Sequence, residues 1–424
     1  MPLTPEQIAK ILQKEASLPV ALKRDNHTNY REGYFFVTLR IHDNAPILST
    51  IIGNFDALDD SSDAPCCKYT ELGKKVLEVW RSVSTYHPCV DLLGVEVMPD
   101  HLHALLWLKP GNKKLLGHLV GGLMGACTHA YWDILGIDWR NDYWAKEVKK
   151  RRIQQITAGL KGAAAPDRDR DHTHSFHGPA LFSRGYNDVE ALTEKEIAVK
   201  LQYLHDQARK YLIKRAMRDC FRIVRGSTAR GWTLESLRQA LLHDRYLAQH
   251  PQQLDATLST LMLRIPLHPQ NGKPTLAYTG NKTLMEASCK LSLICHRADA
   301  FRFAEQQAAV MKAAREGAVI VSAFISPKER EIMKQLLIEQ LPIIEVVDNG
   351  FSDRYKPIGA AFYACGHSRL AQISPWIFEY HKKDVKLKRE MCMVMNQLVR
   401  VITGQRIFPV GMMGKALTHI RHIE

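Results

Sequence analysis

The chain has 424 residues, 46% of them hydrophobic and 24% charged, which predicts a globular protein of about two or three domains and excludes a disordered polypeptide. Lysine and arginine number 58 against 44 aspartate and glutamate, so a formal charge of +14 makes a polyanion the first partner to consider. The nine cysteines form no C-x-x-C pair, and no apolar run approaches the ~18 residues of a membrane span, so we expect a cytoplasmic protein with reduced thiols and no membrane partner.

The first 220 residues alternate between strand and helix patterns. The strand patterns cover 34–39, 90–98 and 101–108, and the helical patterns cover 72–84, 115–135 and 193–220. Thr193 opens a capping box at the start of the last helix. This order predicts an α+β domain over 1–220.

The rest of the chain is organised differently. Apolar residues repeat at helical spacing between Thr233 and Leu263, which predicts a helical connector over 221–274. After it, apolar runs rich in β-branched residues alternate with helices, which is typical of a parallel sheet. The runs cover 291–295, 318–322 and 343–347, and the helices cover 300–316 and 327–340. We therefore predict an α/β Rossmann-like domain over 275–424, which contains no standard glycine-rich phosphate loop.

The segment Met98–Leu108, MPDHLHALLWL, carries the sharpest chemical signal. Residues two apart on a strand point to the same face, so His101 and His103 present two imidazoles side by side while Leu102 points into the core. Such a pair can bind a metal ion. On the motif alone, the alternative that both rings bond to water or backbone stays open.

A second signal lies on the helix that is predicted to begin at Thr193. Tyr203 and Gln207 are one helical turn apart, so a phenol and an amide can point together into one cleft. A phenol has a pKa of about 10 and is a weak nucleophile at neutral pH, but a divalent cation on the attacked phosphate stabilises the developing charge. The plain alternative is that Tyr203 packs on the sheet and Gln207 is solvated.

Together these segments resemble the single-tyrosine HUH transposases, a family that includes small insertion-sequence transposases and REP-associated tyrosine transposases. The shared features are the aromatic first strand at 33–39, the His-Leu-His motif, and the later helix in which Tyr203 precedes Gln207 by four residues. The aromatic run 182–188 is a looser match. The resemblance covers roughly residues 30–215.

This resemblance implies a ferredoxin-like sheet with His101 and His103 on its central strand, binding Mg²⁺ or Mn²⁺ with Gln207 as a third ligand. Tyr203 is then the nucleophile that cleaves single-stranded DNA and leaves a 5′-phosphotyrosine and a free 3′-OH. The covalent link keeps the bond energy, so no ATP is needed. The family also implies a homodimer that acts on DNA containing a hairpin.

The chain departs from the family in three ways. It is longer than its usual members, the insertion 159–180 separates the histidines from the tyrosine helix, and the Asn-Pro that follows the tyrosine in REP-associated members is absent. Tyr186 and Tyr211 are therefore kept as alternative nucleophiles.

Basic residues flank the proposed catalytic segments and are expected to bind DNA phosphates. The residues predicted to do so are Lys149, Lys150, Arg151, Arg152, Arg209, Lys210, Lys214, Arg215 and Arg218. The alternative is a solvated helix face.

The last third of the chain has a weaker resemblance to the Rossmann-like domain of DNA processing protein A (DprA), carried by the runs 318–324 and 342–350. Ligands of such sheets lie at the carboxyl ends of strands, which here points to His296, Ser322, Ser326 and Asn349. We expect an accessory DNA- or nucleotide-binding module.

These observations predict a metal-dependent single-strand DNA transposase or endonuclease. The alternative is a non-catalytic protein that binds a DNA hairpin or senses a nucleotide.

Overall fold

The computed structural model describes residues 29–137, 179–295, 300–379 and 387–404. Among them, 29–213 form one compact unit and 214–404 form a second. None of the described helices is long and apolar enough to cross a lipid bilayer.

The first unit is a mixed structure of strands and helices. Its strands are β1 (Gly33–Arg40), β2 (Ser49–Ile52), β3 (Cys66–Tyr69), β4 (Val90–Val97), β5 (His101–Leu108) and β6 (Asn187–Ala191). Its helices are α1 (Glu71–Arg81), α2 (Val83–Tyr86), α3 (Leu116–Ile134), α4 (Glu194–His205) and α5 (Gln207–Ala216), the last of which crosses the division at residue 213.

Four of these strands form an antiparallel sheet in the order β4-β5-β1-β6, and β2 and β3 form a separate hairpin. A chain order of β1-α1-β4-β5-α3-β6 with this strand order is that of a ferredoxin-like sheet. The antiparallel sheet with packed helices that the sequence predicts is confirmed. Strand β5 lies inside the sheet, between β4 and β1.

One face of this sheet is apolar and is covered by α1 and α3. Phe35, Val37 and Leu39 alternate along β1 and are fully buried in this core, together with Trp80 of α1 and Leu119 of α3. Burial of each such side chain contributes about 1.5–3 kcal/mol. The core therefore fixes which residues of β1 and β5 face the other way.

Helix α4 lies on the opposite face of the sheet. Phe36 and Leu105 from the sheet contact Leu204 from α4, and Ile197 packs against them. A Cβ atom at Gly94 would lie 2.8 Å from Cδ1 of Leu204, so the missing side chain lets the helix approach β4. This small contact holds the helix that carries Tyr203.

The structure differs from the predicted helix over 193–220. That segment forms α4, α5 and a 3-10 turn at Arg218–Phe221, with Asp206 as the C-cap of α4. Aspartate has a low helix propensity, and the Asp206 carboxylate bonds to the side chains of Gln202 and Lys210 at this junction. Strand β6 was also not expected, because its sequence, NDVEA, is poor in the residues that strands favour.

The second unit is built on a six-stranded sheet. Its strands are β7 (Val224–Ser227), β8 (Leu276–Gly280), β9 (Lys290–Ser292), β10 (Val319–Ser322), β11 (Ile343–Val346) and β12 (Leu370–Ser374). The sheet order is β7-β8-β12-β11-β10-β9, with β9 to β12 parallel and β7 and β8 antiparallel. Its helices are α6 (Leu234–Leu242), α7 (Arg245–Gln249), α8 (Pro251–Met262), α9 (Thr283–Glu286), α10 (Ala300–Arg315), α11 (Pro327–Ile338), α12 (Ala360–Gly366) and α13 (Arg389–Ile402).

Residues 221–274, which were predicted as a connector, share the core of this second sheet. Leu237 of α6 and Leu254 of α8 are buried in one cluster with Val321, Ile344 and Ile373. Strand β7 also pairs with β8. The apolar spacing of these helices is therefore explained by packing on the sheet.

Candidate functional site

The two histidines lie on β5, on the face that α4 covers in part. His103 pairs directly with Thr38 of β1 and with Glu96 of β4, while Leu102 between the histidines is fully buried. The rings of His101 and His103 lie 4.7 Å apart, centroid to centroid, at an angle of 77°. The alternation of a strand therefore places both imidazoles together, as the spacing predicts.

Each imidazole is held by a hydrogen bond at Nδ1. Nδ1 of His101 lies 2.6 Å from Oδ1 of Asp100, and Nδ1 of His103 lies 2.8 Å from the Thr38 hydroxyl. The hydrogen bond to His101 lowers the pKa of the Asp100 carboxyl below its ordinary value. A carboxylate at Nδ1 favours the tautomer whose proton is on Nδ1, which directs the lone pair of Nε2 away from Asp100.

Tyr203 packs against this pair from the last turn of α4. Its ring lies 5.5 Å from the ring of His103 and 5.6 Å from that of Phe36, edge to face in both cases. Tyr203 is 37% exposed, whereas the alternative nucleophile Tyr186 is buried in the core beneath the sheet. The phenol that lies beside the histidines is thus accessible to solvent.

A positive charge lies over the same phenol ring. Nζ of Lys210, from the first turns of α5, is 4.7 Å from the ring centroid of Tyr203. The Lys210 side chain is largely buried and pairs with Asp206 at 3.4 Å. Lys210 was predicted to bind DNA, and the structure places it beside the tyrosine.

Gln207 is buried and joins this cluster through Tyr203. Its side-chain Nε2 donates to the backbone carbonyl of Tyr203 at 2.7 Å. The amide is therefore not solvated, as the plain alternative would require, but is oriented by the helix that carries Tyr203.

The hydrogen bonding of His101 is typical of a histidine that binds a divalent cation. Histidine ligands of metals nearly always donate their second ring nitrogen to a carboxylate or another acceptor, as His101 does to Asp100. No group of three histidine, cysteine, aspartate or glutamate side chains in the described part of the chain could hold a metal. Further ligands at His101 and His103 would have to come from the Gln207 amide oxygen, water or substrate oxygens.

A half-buried carboxylate, that of Glu96, lies opposite His103 on β4, and no sequence pattern singles it out. Glu96 accepts a hydrogen bond from the Tyr69 hydroxyl at 3.4 Å, and burial raises the pKa of its carboxyl. Burial likewise raises the pKa values of Tyr69 and Cys67. A register shift between Leu92 and Gly94 sets which residue of β4 faces His103, and such a bulge is not legible in the sequence.

The predicted DNA-binding residues fall into three groups. Lys149, Lys150, Arg151 and Arg152 lie outside the described residues. Arg209 is used inside the first unit, where its guanidinium donates to Asp59 at 2.6 Å and to the carbonyl of Phe55, and Lys210 lies over Tyr203. Lys214, Arg215 and Arg218 are exposed in the second unit.

The carboxyl ends of the parallel strands in the second unit are occupied by internal hydrogen bonds. The Ser322 hydroxyl accepts from the Phe324 backbone, Ser326 caps α11, and the Asn349 amide bonds to the backbone of Gly350 and Glu379. His296 lies outside the described residues. The three of these polar residues that the structure describes are therefore engaged in hydrogen bonds within the fold.

Comparisons with known proteins return distant structural likenesses. No protein-family model matches the chain, and no curated protein matches it. A REP-associated tyrosine transposase bound to a REP hairpin aligns over 44% of this chain and 74% of its own, with 12% identity and a TM-score of 0.25. A protein described as a transposase of Deinococcus radiodurans aligns over 44% and 97%, with 16% identity and a TM-score of 0.22. DNA processing protein A from Helicobacter pylori, solved to explain its single-stranded DNA binding, aligns over 33% and 65%, with 16% identity and a TM-score of 0.23.

Proposed function

We propose that the protein cleaves and rejoins single-stranded DNA, with Tyr203 as the nucleophile and His101 and His103 as ligands of Mg²⁺ or Mn²⁺. The observation that carries the proposal is the packing of an accessible phenol ring 5.5 Å from an imidazole that is itself paired with a second imidazole. Metal-assisted attack by a phenol on a phosphodiester requires the phenol to lie close to the ligands of the cation, and this packing supports that role for Tyr203.

In the proposed reaction, the Tyr203 oxygen attacks the phosphorus of a DNA phosphodiester. A bond forms between the phenol oxygen and phosphorus as the bond from phosphorus to the 3′ oxygen breaks. The phenol proton is lost to solvent, and the leaving 3′ oxygen takes up a proton, so that a 5′-phosphotyrosine and a 3′-OH result. Attack of a 3′-OH on the phosphotyrosine reverses the step, which makes rejoining possible without ATP.

The residues around the tyrosine have distinct tasks in this proposal. Asp100 and Thr38 orient the imidazoles, and Lys210 places a positive charge beside the phenol on which negative charge develops. Gln207 would supply an amide oxygen to the cation. A cation bound at the histidines would supply electrophilic stabilisation of the attacked phosphate.

A covalent-adduct assay tests the nucleophile. The substrate is single-stranded DNA that contains a hairpin and is labelled at its 3′ end, and the product is a labelled protein band on a denaturing gel. Tyr203→Phe should abolish the band while DNA binding survives, and Tyr86→Phe, at a tyrosine 75% exposed on α2, should leave it unchanged. An adduct that persists in Tyr203→Phe would move the assignment to Tyr211 or Tyr186.

The same assay distinguishes the proposed enzyme from the alternative, a non-catalytic binding protein. A non-catalytic protein that binds a DNA hairpin or senses a nucleotide would bind DNA and form no adduct under any metal condition. In the proposed enzyme, EDTA stops adduct formation, added Mn²⁺ restores it, and His103→Ala raises the Mn²⁺ concentration required.

A further inference from the structure

The second unit contains a cleft of about 1190 Å³ that the proposed cleavage does not use. It is lined by one side of α6 and the residues that flank this helix, by the residues before and at the start of β9, and by the end of α13 with the residues that follow it. Pockets for small molecules and cofactors measure about 300–1,000 Å³, so the cleft is large enough for a nucleotide.

The cleft is positively charged. Arg230, Lys290 and Arg400 line it, and Glu235 is the acid among its lining residues. Neither Arg230 nor Arg400 has an ion-pair partner among the described residues, and Lys290 donates to the Met285 carbonyl at 2.6 Å. Two guanidinium groups without acidic partners in one concave site favour a multiply charged anion.

The amino end of α6 adds to this charge. Thr233 and Ser236 form a capping box at that end, and both line the cleft. The aligned peptide dipoles of this nine-residue helix place partial positive charge at its amino end, which lines the same cleft as the arginines.

A buried amide provides an independent indication of a ligand. Gln397 is 8% exposed and lines the cleft, and its side chain has no hydrogen-bond partner among the residues that the structure describes. The amide atoms are in contact with the space of the cleft, so they are available to a group there that accepts and donates hydrogen bonds. The polar edge of a nucleobase is such a group.

We propose that this cleft binds a nucleoside phosphate, with its phosphates at Arg230, Arg400 and the amino end of α6 and its base towards Gln397. The chemistry is shared by a free nucleotide and by a phosphorylated end of single-stranded DNA. This binding goes beyond the proposed cleavage and does not require Tyr203.

Calorimetric titration of the full-length Tyr203→Phe protein tests the proposal, because cleavage then cannot interfere. The probes are ATP for the free nucleotide and a 5′-phosphorylated thymidine tetranucleotide for the DNA end. Binding of either probe supports the proposal if Arg230→Gln weakens it about tenfold, the loss expected for one charge-assisted contact, and Arg230→Gln with Arg400→Gln weakens it further. Arg238→Gln is the matched control, because Arg238 lies on α6, close in sequence to Arg230, but is paired with Asp255 at 2.6 Å and does not line the cleft.

Two outcomes would overturn the proposal. One is that neither probe binds, and the other is that binding is unchanged in the Arg230→Gln protein, whose exposed residue can be replaced without disturbing the core. Gln397→Met gives a separate test of the base position, since it should weaken ATP binding and leave binding of inorganic tripolyphosphate unchanged. Equal weakening of both would contradict the placement of the base.

Discussion

The Asp100 carboxylate lies 2.6 Å from Nδ1 of His101, at the first residue of an inner strand. This hydrogen bond affects both Asp100 and His101. The contact holds the pKa of Asp100 below its ordinary value, and it orients an imidazole whose other nitrogen is then available to coordinate a cation. In the proposed reaction, Asp100 is therefore a positioning residue that acts through His101.

Replacing Asp100 with Asn should weaken Mn²⁺ binding about 10- to 100-fold, the usual loss when the outer partner of a histidine ligand is removed. Titration of Mn²⁺ by electron paramagnetic resonance measures this directly. Asp91→Asn is the control, because Asp91 also lies in this sheet but pairs with Lys109 at 2.7 Å. Equal Mn²⁺ affinity in wild type and Asp100→Asn would show that His101 is not held as a ligand.

Lys210→Gln should slow adduct formation about tenfold at saturating DNA, which corresponds to ~1.4 kcal/mol, because a cation beside the phenol stabilises the charge that develops on it. Single-turnover rates on labelled DNA give this value. Lys195→Gln, at an exposed lysine on α4, should leave the rate unchanged. If Lys210→Gln lowers DNA affinity but not the saturated rate, Lys210 is a phosphate contact, as the sequence first indicated.

Gly94→Val should push α4 away from the sheet, since the new side chain would overlap Leu204 and also Leu201, whose Cδ2 lies 3.2 Å from a Cβ at this position. Overpacking of this kind costs about 1–3 kcal/mol. We expect a lower midpoint of urea unfolding and slower adduct formation in the same variant. Gly121→Val, on α3, meets open space and should do neither.

Glu345→Gln should make the stability of the second unit less dependent on pH. Burial raises the pKa of the Glu345 carboxyl above its ordinary 4.5, the hydrogen bond from Gln372 opposes this, and Asp348 adds to it. Because the folded pKa is raised, the stabilisation from this group is complete below the ordinary pKa and is lost as pH rises through the folded value. The variant should therefore gain unfolding temperature relative to wild type as pH rises from 4.5, measured by calorimetry at several pH values.

Glu339→Gln is the control for that experiment. Glu339 is exposed and bonds to Arg315, which lowers the pKa of its carboxyl. Its contribution to stability therefore has the opposite dependence on pH, so a gain like that of Glu345→Gln in both variants would contradict the burial argument.

The pairing of His101 with His103 could be predicted from sequence because it depends on the two-residue period of one strand. Gln207 lies next to Tyr203 as the four-residue spacing predicts, although the structure places the two residues on successive helices, α4 and α5. Thr38, Glu96 and the position of Lys210 could not be predicted, because they depend on strand register, on the bulge in β4 and on the junction at Asp206. The sequence pattern of 221–274 predicts helices but not that they pack on the second sheet. The reason is similar: apolar residues at helical spacing do not show which element a helix packs against.

The strand that carries the histidines and the helix that carries Tyr203 differ in how firmly they are packed. His101 and His103 lie on an inner strand whose opposite face is buried in the main hydrophobic core. Helix α4, in contrast, packs on the sheet through a few apolar contacts around Leu204. Lifting such a helix costs far less than melting the strand beneath it. In the proposed reaction, α4 is therefore the half of the centre that would shift with a DNA end joined to Tyr203, while the histidines stay in place on their strand.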